Sequence, residues 1–487
     1  MNNPLSHIEP KEIWAHFNSI NTIPRASKKE QAISDFMVSF GQKLGLETKQ
    51  DKALNVLIKK PASVGFENRK KVTLQSHLDM VHQKNNHTVF DFDTQGIEMY
   101  VEGDWVKAKG TTLGADNGLG VAAIMSLLAD DSIEHPELEA LFTIDEETGM
   151  TGAFELQPGF ISGDILLNLD TEEDDEITIG CAGGVDVTAT KNYTPTSVSK
   201  NSSFYKITVN GLKGGHSGVE IHKGLGNANK LLTRVLFELQ KEIKFQLISL
   251  QGGGLRNAIP REASCFIAIE NHQNTNVIFH TIVETIQKEW LVKEENLAIS
   301  LSSSESFKTG VDATTQSNLI YTLYACHNGV YTMDPSITDL VATSNNLASV
   351  NVDKGNTTIA CLTRSSIESE KFDLVNKLTA TFNLGGFTVV TDGTYPGWQP
   401  NPNASILEVM TTLYKDLFKE EPNVNACHAG LECGIIGEPY PNMEMISFGP
   451  TIRGAHSPDE RACISSTQKF WTFLKEILKN IPEKQNN

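Results

Sequence analysis

At 487 residues the chain is too long for one ordinary core, and its length suggests about three compact units. A formal net charge of −19 argues against a nucleic-acid partner, whose phosphates favour a basic face, and 39% hydrophobic residues with no bilayer-length apolar run argue against a membrane-spanning chain. Seven scattered cysteines, and an N-terminus without the basic-then-apolar pattern of a secretory signal, point to reduced thiols and a cytoplasmic setting.

The first stretch reads as α/β. SKKE at 27–30 has the form of a capping box, predicting a helix to about residue 44 that Gly45 closes. Short strands are predicted at 55–59 and 71–75, a helix from Asn117, strands at 139–144 and 165–169, and a last strand at 445–449. His77, Glu146, Glu147, Asp170 and His456 each fall one to several residues past the end of a strand, and Asp116 stands at a helix start. Ligands of open α/β sheets gather at the carboxyl ends of the strands, so separate loops are expected to converge on one place.

Residues 184–396 read differently. Strand, helix, strand, strand, helix and strand are predicted at 204–209, 227–240, 245–249, 264–269, 277–288 and 297–301. A weaker second copy has a helix at 316–327, a strand at 357–361, a helix at 367–383 and a strand at 387–390. The expected fold is therefore α/β. A discontinuous catalytic domain, 1–183 and 397–487, has a mixed sheet flanked by helices. An inserted α+β lid, 184–396, is built from two β-α-β-β-α-β-like units split near 298.

Each polar motif taken alone has a bland reading. His-x-Asp at 77–79 is usually a surface pair, Asp-Glu-Glu at 145–147 a solvated turn, Asp170 the start of a charged loop, and Asp116 a helix cap. Their common position at strand and helix junctions reverses that judgement and points to a two-metal centre. Asp116, Glu147 and Asp170 supply three negative charges, His77 and His456 bind as neutral imidazoles, and one bridging hydroxide balances two divalent ions. This mixed donor set suits zinc, with cobalt or manganese also accommodated. Such a pair can hold and acidify a water and polarise a carbonyl. Asp79 is expected to accept the second N–H of His77 and fix its tautomer. Glu146, beside a ligand but not one itself, is the expected general base. No His-Glu-x-x-His helix and no phosphate loop is present, and Val219 stands where a nucleophile elbow built on GHSG at 215–218 would need glycine.

With QSHLDM at 75–80, TTLGADNG at 111–118, DEETG at 145–149, GGHSG at 214–218, RNAIP at 256–260, YPGW at 395–398 and HAGLECG at 428–434, the chain resembles the di-zinc metallopeptidase family that includes carboxypeptidase G, peptidase T and acetylornithine deacetylase. Within it the match is to the aminoacyl-histidine dipeptidase branch, over essentially the whole chain. The resemblance implies that His77 and Asp170 bind one metal, that Glu147 and His456 bind the other, and that Asp116 bridges them through a cis peptide to Asn117. It also implies that His216 stabilises the oxyanion and that Asn257 and Arg364 bind the substrate carboxylate. Relatives with one lid unit pair two lids across a dimer, and the doubled lid here mimics that pairing within one chain. The implied activity is hydrolysis of unblocked dipeptides, Xaa-His and β-alanyl-histidine types included. The alternatives are an N-acyl amino acid amidohydrolase of the same family and, from another class, an inactive metal-dependent binding protein. The unliganded Glu146 argues against the last. The sequence leaves homodimer against monomer, the true dipeptide preference and the roles of His428 and Glu432 open.

Overall fold

The structure is a computed structural model describing residues 4–270 and 274–484. Two compact units emerge. One runs to Gly180 and resumes over Pro400–Ala426 and from Leu431; the other comprises Cys181–Gln399 with Cys427–Gly430. Among the described residues no helix is long and apolar enough to cross a membrane.

The first unit is built on an eight-stranded sheet, among the described residues, in the order Glu47–Gln50, Val56–Lys60, Leu138–Thr143, Val72–His77, Ile165–Asn168, Glu444–Ser447, Glu176–Cys181, Asn423–Cys427. Leu138–Thr143, Val72–His77, Ile165–Asn168 and Glu444–Ser447 are mutually parallel, while Val56–Lys60 joins antiparallel. The first three are buried at every residue, as central parallel strands covered on both faces must be. Helix Ala115–Ala129, apolar nearly all round, is buried through most of its length and packs on helix Lys11–Ile20 and on Val72–His77.

The capping box does not form. Helix Gln31–Lys43 begins after Glu30, and Lys28 takes a positive φ. The Glu30 carboxylate accepts from the Lys28 N–H, and Ser27 Oγ donates to Asp79 instead. The serine answers to a buried carboxylate from a distant strand end, a partner that outbids the local cap.

In the second unit a nine-stranded sheet, among the described residues, runs Ala298–Ser303, Ser202–Asn210, Ala263–Glu270, Phe245–Gly253, Val341–Asp353, Asn356–Ser365, Gly183–Asn192, Thr388–Tyr395, with Gly329–Met333 alongside Val341–Asp353. Ser202–Asn210, helix Ala228–Glu242, Phe245–Gly253, Ala263–Glu270, helix Thr275–Trp290 and Ala298–Ser303 form one repeat. Ala298–Ser303 pairs with Ser202–Asn210, so this repeat runs through Ser303 rather than ending near 298. The second repeat is Gly183–Asn192, helix Ala313–Ala325, Val341–Asp353, Asn356–Ser365, helix Glu368–Leu384 and Thr388–Tyr395. Its opening strand precedes the whole first repeat, which is thus nested inside the second. The halves join where Phe245–Gly253 pairs with Val341–Asp353. One apolar core runs through both, including Leu232, Val235, Ile267, Val350, Ile359 and Phe382.

Candidate active site

The parallel strands deliver their polar residues to one edge of the first unit. His77 ends Val72–His77, Glu146 and Glu147 follow Leu138–Thr143, and Asp170 follows Ile165–Asn168. Asp116 sits in the first turn of Ala115–Ala129 with non-helical backbone angles and a cis peptide to Asn117. His456 arrives from a loop after Ile452–Arg453, at a positive φ.

Asp116 lies at the centre. Its Oδ1 is 3.2 Å from His77 Nε2, and its Oδ2 is 3.1 Å from His456 Nε2. His77 Nε2 is also 3.4 Å from Asp170 Oδ1, and His456 Nε2 is 2.9 Å from Glu147 Oε2. The donor atoms of His77, Asp116 and Asp170 lie within 4.8 Å of one another, as do those of Asp116, Glu147 and His456. Two three-donor groups therefore share one carboxylate, each oxygen of which faces a different group.

Asp79 ties this edge together. Its Oδ1 is 3.3 Å from His77 Nδ1, which orients the ring so that Nε2 faces Asp116 and Asp170. The same carboxylate accepts from Ser27 Oγ at 2.8 Å and from the backbone N–H groups of Glu146 at 3.0 Å and Glu147 at 3.3 Å. One side chain thus orients a histidine and fixes the turn that presents two glutamates.

The electrostatics describe a site short of positive charge. Burial opposes a charge on His77, yet Asp170, Asp116 and Asp79 carry its pKa well above the ordinary value. Hydrogen bonds to Asp116 and Glu147 push His456 up to about 11. Burial raises Glu147 and Asp170, and it lifts Glu146 well above the usual carboxylate range, helped by Asp170, Glu432 and Glu147. Glu147 Oε1 is buried without a hydrogen-bond partner. Protonated imidazoles are here the counter-charge to converging carboxylates, and an orphaned carboxylate oxygen faces the same group. That donor set fits a pair of divalent cations.

The second unit holds the other expected residues. His216 lies in the short strand Gly215–His216, paired with Ala258–Ile259. Its Nδ1 accepts from the N–H groups of Gly218 at 3.2 Å and Val219 at 3.0 Å, so the ring proton sits on Nε2. Burial and the nearby Arg364 lower its pKa, keeping the imidazole neutral. Asn257 lies beside that pair, its carbonyl accepting from the Ser217 N–H. Arg364 is buried in Asn356–Ser365. His428 is buried in this unit, with Nε2 2.8 Å from Ser344 Oγ and a pKa lowered to about 3, chiefly by burial.

The sequence profile of peptidase family M20/M25/M40 matches residues 73–480. The chain belongs to this family. It is 45% identical over 482 residues to the cytosol non-specific dipeptidase of Escherichia coli K12, with 99% of each chain covered. It superposes on the crystal structure of aminoacylhistidine dipeptidase from Vibrio alginolyticus with a TM-score of 0.94 at 41% identity, over 99% of each chain. The fold alone is shared with aminopeptidase PepT from Bacillus cereus, 14% identical with a TM-score of 0.57 over 97% of this chain and 99% of that one.

This M20 peptidase also uses Glu460 and Arg25, which no motif announced, and Glu432, whose role the HAGLECG stretch left open. The buried Glu460 carboxylate accepts four backbone N–H groups, from Leu113 (2.7 Å), Gly114 (3.0 Å), Ala115 (2.7 Å) and Asp116 (3.3 Å). It stands four residues beyond His456 and so binds the His456 loop to the Asp116 loop. Arg25, fully buried, donates to the carbonyls of Leu78, Asp79 and Gly114. Glu432 accepts from Gln75 Nε2 at 2.7 Å and Thr143 Oγ1 at 2.6 Å, beneath the strand ends that carry His77 and Glu146, and burial raises its pKa to about 8.

The raised histidine pKa values set a sign for metal uptake. Metal needs neutral imidazole, whereas His77 and His456 hold protons at pH 7 in the metal-free peptidase. Binding is therefore expected to release protons and to tighten as pH rises. Calorimetric titration with zinc should give enthalpies that depend on the buffer's ionisation heat, and buffer-independent enthalpies would contradict the charge balance described above.

Proposed function

We propose that this peptidase is a cytoplasmic metal-dependent dipeptidase acting on unblocked dipeptides, Xaa-His and β-alanyl-histidine included, with zinc as its metal. The observation that carries the reading is Asp116, shared between the His77–Asp170 and Glu147–His456 groups, with half-buried Glu146 beside them and outside both. His77 and Asp170 would hold one ion, Glu147 and His456 the other, and Asp116 both. When bound, the two ions supply acidification of a water and polarisation of the scissile carbonyl. Glu146 takes the water's proton on a carboxylate oxygen and returns it to the leaving amine. Its raised pKa suits a group that must hold that proton between the two transfers. Asp79 keeps His77 in the required tautomer. His216, neutral and protonated on Nε2, donates to the developing oxyanion, where a fixed donor acts most strongly. Asn257 and Arg364 hold the substrate carboxylate. In this reading the first unit is the catalytic domain and the second is the substrate-recognising lid domain.

The test is a substrate panel on metal-stripped protein with zinc, cobalt or manganese added back singly. Dipeptides should be hydrolysed only after metal addition, fastest with zinc, and much faster than N-acetyl amino acids or hexapeptides. Preferred turnover of N-acetyl amino acids would move the chain to the amidohydrolase reading, and hexapeptides cleaved as fast as dipeptides would remove the length restriction.

A further inference from the structure

Four directly opposed cross-strand positions form one row of the second unit's sheet. Ser344 faces Arg364, Arg364 faces Gly184, and Gly184 faces Tyr395. Opposed residues of antiparallel strands project to the same side, so Gly184 is a gap between an arginine and a tyrosine. A Cβ built on Gly184 would stand 2.6 Å from Tyr395 Cε1, Cζ and Oη. The tyrosine ring therefore lies across the glycine, and its Oη accepts from Arg364 Nη1 at 2.7 Å.

This leaves the guanidinium in an unusual state. Arg364 is 5% exposed, and no carboxylate lies within ion-pair distance of it among the described residues. Asp186, two residues along from Gly184, is paired with Arg256 at 3.0 Å. Among the described residues, the one hydrogen-bond partner of Arg364 is a neutral phenol, which orients the group without cancelling its charge. Arg364 Nε is buried and unpartnered. A buried, uncompensated cation is costly until an anion completes it. The edge left over is Nε with Nη2, the fork that meets a carboxylate with two parallel bonds. Space beside that edge is kept by a second glycine. A Cβ on Gly218 would lie 3.2 Å from Arg364 Nε, 3.2 Å from His216 Cε1 and 2.2 Å from the His428 carbonyl oxygen.

We infer that Tyr395 is a positioning residue for carboxylate recognition: reaching over Gly184, it occupies Nη1 of Arg364 and so presents the Nε–Nη2 edge, beside Gly218, to the C-terminal carboxylate of the substrate. The inference rests on the dipeptidase reading and adds to it the atoms that make a free C-terminus a requirement.

Michaelis kinetics of Tyr395→Phe on a dipeptide and on the same dipeptide's C-terminal amide test it, with native circular dichroism checked first. For the dipeptide, KM should rise about ten-fold while kcat stays within about two-fold, as for loss of one hydrogen bond to a charged group. For the amide neither constant should move. Gly184→Ala, which displaces the ring but keeps the phenol, should give the same split. An unchanged dipeptide KM, an equal rise for both substrates, or a wild type indifferent to amidation would overturn the inference. A wild type that cleaves no dipeptide at all would overturn the dipeptidase reading instead, so the two failures are distinguishable.

Discussion

Glu146→Ala should lower kcat by about two to four orders of magnitude while metal content stays at the wild-type level. The carboxylate lies against the two donor groups but outside the pairs that Asp116 links, so its loss leaves His77, Asp116, Asp170, Glu147 and His456 intact. Its backbone is held independently of its side chain, through the N–H to Asp79 at 3.0 Å, and the truncated residue should keep Glu147 in place. What disappears is a half-buried group whose affinity for a proton is raised by loss of solvent and by neighbouring carboxylates. Glu146→Gln should be as slow as the alanine variant, since an amide cannot take the proton. Kinetics alongside metal analysis after gel filtration would decide the matter, and a variant with wild-type kcat would remove Glu146 from its role.

Asp116→Ala should cost both ions at once. Each Asp116 oxygen faces one histidine, at 3.2 Å and 3.1 Å, so this carboxylate serves both donor groups. Removing it leaves His77 with Asp170 on one side and His456 with Glu147 on the other, too few protein donors for tight divalent binding. Glu147→Ala, by contrast, strips one group and should release one ion preferentially. Metal content measured after dialysis against a weak chelator should fall to near zero for Asp116→Ala and to about half for Glu147→Ala. Equal retention in the two variants would mean that the carboxylate is not shared.

The edge that gathers these residues could be read from the sequence because apolar runs such as LFTI at 141–144 and ILLNL at 165–169 mark buried strands, and the carboxylates that follow each of them are conspicuous. The strand Val341–Asp353 hid for the opposite reason. Its Thr343, Ser344, Asn345 and Asn346 are polar yet buried, satisfied by distant groups. Thr343 bonds Ser365 and Glu370, Asn345 donates to the His327 carbonyl, and Asn346 donates to the carbonyls of Arg256 and Ala258. No hydropathy pattern carries such information, because the compensating partners lie elsewhere in the chain. Glu460 and Arg25 escaped notice for a related reason: they act on backbone groups, which any sequence supplies. Ser27 misled, since its local signature was sound and a remote carboxylate claimed it.

The nesting of one repeat inside the other dictates an order of assembly. Every strand of the inner repeat lies between residues 202 and 303, so its four-stranded sheet can close as soon as that stretch has left the ribosome. Gly183–Asn192 emerges earlier but waits, because its neighbours Asn356–Ser365 and Thr388–Tyr395 are made more than a hundred residues later. During that interval it is a bare edge in search of a mate, the segment of the nascent chain most exposed to mispairing. Slowed translation after residue 303 would lengthen this vulnerable window without touching any residue of the finished enzyme.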